Sequence, residues 1–151
     1  MENIPNRRFR RIALVSVSLS TALGFAAVIG WISNIYALAG ISRDYIPMAP
    51  STAASLILLC FAALILIFRP SENVWRLSAG TASLFVFFIS LLIGVRVVFR
   101  IPSDIEAILI KSPGMLGNVP LGRMSPITAI IFLLLSSSIL LFILSEKWKY
   151  A

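Results

Sequence analysis

The chain has 151 residues, of which 59% are hydrophobic and only 13% charged, and a net charge of +7. Soluble domains average about 45–50% apolar and about 25% charged residues, and a 16.5 kDa chain has too little interior to bury such an excess. An ordinary water-soluble domain is therefore excluded and lipid is the expected solvent. The basic residues flank apolar runs instead of forming one stripe, as membrane topology requires, so no nucleic acid is expected as a partner.

In chain order, Arg7, Arg8, Arg10 and Arg11 precede an uncharged run over 12–38. This run is long enough to cross a bilayer with tilt. Arginines followed by an apolar run and Ala37-Leu38-Ala39 also resemble a secretion signal. Signal cores span only about 7–15 residues, so an uncleaved anchor is expected. A short loop over 40–49 follows, then a second uncharged span over 50–68. Cys60, the only cysteine, lies inside it; it has no partner for an intrachain disulfide and reads as a small packing residue. The link over 69–76 carries Arg69 and Arg76, with Trp75 expected at headgroup level. The third span, 77–99, is charged only at Arg96. In the long segment that follows, Ser103-Asp104-Ile105-Glu106 has the form of a capping box and predicts a short amphipathic helix near 103–110. Gly117, Pro120 and Gly122 keep the remainder loop-like. The fourth span covers 126–144.

Hydrocarbon offers the backbone no hydrogen-bond partner, so each span must be helical. The predicted fold is an all-α polytopic membrane protein of four transmembrane helices in one domain. The cytoplasmic side is assigned by Arg7, Arg8, Arg10, Arg11, Arg69, Arg76, Lys147 and Lys149, against Arg43, Arg100, Lys111 and Arg123 opposite. This excess predicts both termini in the cytoplasm.

One phrase occurs twice. Met48-Ala49-Pro50-Ser51-Thr52-Ala53 opens the second span and Met124-Ser125-Pro126-Ile127-Thr128-Ala129 opens the fourth. The chain thus reads as one helical hairpin used twice. Proline suits the first helical turn, whose amides lack intrahelical partners. Ser125 predicts an N-cap, which Ala49 cannot provide. The hydroxyls of Thr52 and Thr128 are expected to bond to backbone or to a neighbouring helix. The plainer role of the motif is to start two helices. The functional role is for both copies to line a common outer-leaflet pocket. Arg96 is expected to snorkel to the headgroups; the alternative is a partner such as Asp104 or Glu106, or an anionic ligand, in a site that Arg123 would join.

Small residues at four-residue spacing, Ser16-Ser20-Gly24, Ala22-Ala26-Gly30 and Ser90-Gly94, predict close helix packing. Ser136-Ser137-Ser138 is expected to bond back to its own helix. No acid, base, nucleophile or metal set is recognisable: histidine is absent and the acidic residues lie outside the spans. Neither an enzyme nor a cofactor is expected.

Pro47 to Ala53 and Gly122 to Ala129, the latter followed by Phe132-Leu133-Leu134, resemble the membrane-embedded N-terminal sensor region of bacterial signalling proteins. Such regions precede PAS domains, histidine kinase modules or diguanylate cyclase modules. The likeness runs from Trp31 to Leu144. It implies a four-helix sensory input module in signal transduction, located in the inner membrane of a bacterium, whose partners are the lipid bilayer and either a second copy or a cytoplasmic signalling protein. The chain departs from the family in three ways. Residues 145–151 contain no output module, there is no phosphoacceptor histidine and no Gly-Gly-Asp/Glu-Glu-Phe sequence, and serines stand where the fourth helix usually has Gly and Ala. A detached input domain, an output supplied by a partner and a truncated reading frame all fit. The alternative function is a small transporter or channel subunit, since paired repeats are common in transporters.

Overall fold

A computed structural model describes residues 7–40, 46–68, 72–99, 115–116, 119–120 and 122–148. Apart from one two-residue ladder and short connections the described chain is helical: α1 (Arg7–Ile32), α2 (Tyr36–Gly40), α3 (Pro50–Phe68), α4 (Asn73–Phe99), β1 (Met115–Leu116), β2 (Val119–Pro120) and α5 (Pro126–Trp148). Four of these, α1, α3, α4 and α5, are long and apolar enough to cross a membrane. At 19 residues, α3 is about 29 Å long, the thickness of a hydrocarbon core. The 27 residues of α4 extend about 40 Å and must tilt or project.

The described helices differ from the expected spans at their ends. The run expected over 12–38 is two helices. α1 begins at Arg7 and stops at Ile32, because Asn34 turns left-handed (φ 57°). The Ile35 amide then donates to the Gly30 carbonyl (2.8 Å) and the Asn34 amide to the Trp31 carbonyl (3.3 Å). This pair of bonds is a Schellman cap, in which asparagine replaces the usual glycine. α2 then folds back onto Gly30, where an added Cβ would lie 2.9 Å from the Ile35 carbonyl oxygen. α4 begins at Asn73, ahead of the expected 77, and α5 continues past 144 to Trp148. Part of the segment expected to be loop pairs antiparallel, Met115 with Pro120 and Leu116 with Val119. The amphipathic helix expected near 103–110 lies outside the described residues.

α3 is central, packing on α1, α4 and α5, while α4 and α5 pack on each other. The packing face of α4 is Ala79, Ser83, Val86, Ser90 and Ile93; that of α5 is Ala129, Phe132 and Ser136, continued by half-buried Ile139 and Ile143. Steps of four and three on both helices give the 3.5-residue period of a left-handed seam. The small-residue rows also serve this packing. Gly24 sits against Ile57 and the Ala53 carbonyl, and Gly94 faces Leu133.

The opposite helix faces are apolar and exposed, as at Leu19, Phe85, Val98, Ile127 and Leu134. The buried share of the apolar stretch falls from 33% in α3 to 11% in α1. In water each such side chain would forgo about 1.5–3 kcal/mol of burial; in a bilayer these faces are the lipid contact. The helices that precede the two motif-led ones, α1 and α4, are of similar length, 26 and 27 residues.

Candidate functional site

Two contacts define one end of the bundle. The Arg10 guanidinium lies 5.7 Å from the centre of the Phe68 ring, placing the start of α1 beside the end of α3. Arg76 Nη2 donates to the Ile143 carbonyl (2.9 Å), placing the start of α4 beside the end of α5. Both copies of the motif therefore open helices at the opposite end.

Each copy starts its helix in the same register. The Ala53 amide donates to the Ala49 carbonyl (2.9 Å) and the Ala129 amide to the Ser125 carbonyl (3.0 Å). Ala53 and Ala129 are both fully buried. Pro50 and Pro126 occupy first-turn positions, where their missing amide is harmless. The caps differ as expected from Ser125 and Ala49. Ser125 Oγ accepts the Thr128 amide (3.1 Å) and shares a hydrogen bond with Thr128 Oγ1 (2.8 Å), an arrangement that stabilises a helix end by about 1 kcal/mol. Thr52 is half-buried in the first turn of α3.

Met48 and Met124 belong to different hydrophobic clusters. Met48 packs with Ala27, Ala39 and Ala53, together with Val28 and Trp31. Met124 is buried among Leu59, Val86, Ile93, Ala129 and Phe132. What joins the starts of α3 and α5 is Trp31, in the last turn of α1. Its indole Nε1 donates to the Met48 carbonyl (2.8 Å), while the Met48 amide donates to the Ala39 carbonyl (2.8 Å). Across the ring, Gly122 adopts φ +86°, and a Cβ there would lie 3.1 Å from Trp31 Cη2. One indole thus touches the end of α1, the residues leading into α3 and those leading into α5. Sequence patterning assigns Trp31 no role of its own and makes Gly122 a loop residue. No local pattern announces a tryptophan bonded to a carbonyl seventeen positions away.

Arg96 is half-buried in the last turn of α4, and Arg123 is exposed beside the second motif. Asp104 and Glu106, the candidate partners of Arg96, lie outside the described residues. Deeper in the bundle, Ser136 Oγ donates to the Phe132 carbonyl (2.6 Å) and Ser137 Oγ to that of Leu133 (2.7 Å), the back-bonding expected of that triplet. Cys60 is buried. Among the described residues no group of His, Cys, Asp or Glu is placed to hold a metal ion. The arrangement brings the end of α1, the residues leading into α3 and those leading into α5 together at one ring.

Compared with protein families, with curated proteins and with solved structures, the chain matches none.

Proposed function

We propose that this chain is a membrane-embedded sensory input module of a bacterial signal-transduction system, held in the inner membrane with both termini in the cytoplasm. The observation that carries this reading is the Trp31 clasp, which couples α1 to the starts of α3 and α5. A ligand or bilayer change that displaces the residues leading into α3 would press on the indole and, through it, on Gly122 ahead of α5. α5 carries the displacement along its length to the basic end, where Arg76 ties it to α4. A stimulus acts by binding or favouring one of two helix arrangements over the other. Shifts of about 1–2 Å between packed helices suffice in such devices. The output is read by a second copy or by a cytoplasmic signalling protein. The basic residues that cluster at one end support the orientation.

The test places spin labels at Asn73→Cys and Ser145→Cys, both exposed at the basic end, in a Cys60→Ala background and in lipid vesicles. Trp31→Phe or Gly122→Ala, made at the far end, is expected to displace or broaden the distance distribution. Superimposable distributions would defeat the input-module reading. Ion or solute leakage from vesicles carrying the unaltered chain would favour a transporter or channel subunit instead.

A further inference from the structure

Arg7, Arg8, Arg10 and Arg11 all stand in the opening turns of α1, with no acidic residue in the first turn. The nearest carboxylates in sequence are Glu2 and Asp44. This placement is unfavourable for an isolated helix. The helix N-terminus is already the positive end of the macrodipole, and like charges three and four residues apart repel. Arg76 adds positive charge at this end against the carboxylate of Glu72. Arg8, Arg10 and Arg11 are exposed. Arg10 is seated over Phe68 at 5.7 Å, so the cationic surface reaches from α1 onto the last residue of α3. Exposed apolar side chains adjoin it: Phe9 (69% exposed), Ile12 (62%) and Phe68 (55%). Guanidinium groups beside exposed aromatic and aliphatic groups match the boundary between headgroup and acyl chain.

We propose that this end of α1 and α3 is a binding surface for an anionic phospholipid. Headgroup phosphates are held around α1 by Arg8, Arg10 and Arg11, which point to different sides of the helix, and the acyl chains lie beside Phe9, Ile12 and Phe68. Guanidinium suits this role because its paired N–H groups match phosphate oxygens two at a time. The bound anion offsets both the arginine repulsion and the helix dipole. The inference is independent of the signalling proposal, since any protein with this surface would retain the lipid.

The full chain is reconstituted in nanodiscs of phosphatidylcholine with phosphatidylglycerol, re-extracted in mild detergent, and its co-purifying lipid is quantified by mass spectrometry. Phosphatidylglycerol is expected to be enriched over its share of the bilayer. Enrichment is expected to fall roughly fivefold for each arginine replaced by glutamine at Arg8, Arg10 and Arg11. Arg8→Lys, Arg10→Lys and Arg11→Lys together should retain part of it, because charge persists without the paired geometry. On the unaltered chain enrichment should decline as sodium chloride rises, a readout that needs no variant to fold. Equal enrichment in the glutamine variants, insensitivity to salt, or full displacement by inorganic phosphate would each overturn the proposal, the last by revealing a site for a free anion.

Discussion

At Gly122 the backbone holds φ +86° with the Trp31 ring lying where a methyl group would go. Gly122→Ala is expected to destabilise the bundle by about 1–3 kcal/mol, from left-handed strain and displacement of the indole, measured by denaturant titration in mixed micelles. Trp31→Phe removes the indole bond to Met48 but keeps a ring, and should cost about 0.5–1.5 kcal/mol with a change in hydrogen exchange at the start of α3. The seam between α4 and α5 poses the opposite case. Ser83 and Ser90 are fully buried, and their hydroxyls have no hydrogen-bond partner among the described residues. A buried hydroxyl left without a partner costs about 1–3 kcal/mol. Ser83→Ala and Ser90→Ala should therefore be neutral or stabilising in the same titration. Val86→Ala, one turn from each, should lose about 1 kcal/mol of packing, less than in a soluble core because lipid is as apolar as the protein interior. The back-bonding of Ser136 and Ser137 is legible in the sequence because it is local; that Ser83 and Ser90 face the seam without a partner among the described residues is not, because it depends on the facing helix.

Helix existence and helix ends are decided by different physics. A charge-free apolar run over 50–68 must be helical in lipid whatever surrounds it, and α3 occupies Pro50–Phe68. α1 is longer at its start and shorter at its end than its apolar run, because Asn34 adopts a left-handed conformation that hydropathy cannot register. Asn34→Gly should leave stability within a few tenths of a kcal/mol, while Asn34→Val should cost about 1–2 kcal/mol through the branched Cβ at positive φ. Thermal melts in detergent distinguish them. The Ser125 cap was legible because capping is local. Ser125→Ala is expected to cost about 1 kcal/mol and to raise amide exchange at Thr128, whose N–H it holds. The matching change at Ala49 has no hydroxyl to remove.

The bundle as a whole is arranged around α3, and α1 contributes least to the interior. Exposed Leu, Ile, Val and Phe on every long helix predict that the protein stays monodisperse only in detergent or bilayer, and aggregates when detergent is withdrawn during size-exclusion chromatography. The candidate site exists only once the helices are assembled. Met48 and Met124 occupy equivalent places in the motif but pack into separate clusters, and the ring that joins the two helix starts comes from a third element, α1.

From the residues alone it follows that this is a helical membrane protein, where its four spans lie, and that two of them begin alike. These are consequences of solvent and of local backbone chemistry, which act on each segment separately. The central place of α3, the break and return of α1, and the meeting of Trp31 with Met48 and Gly122 emerge only when the helices pack. Each of these depends on surfaces distant in the chain coming within a few ångströms, and in lipid, where apolar faces have no water to escape, close packing and hydrogen bonding select those partners.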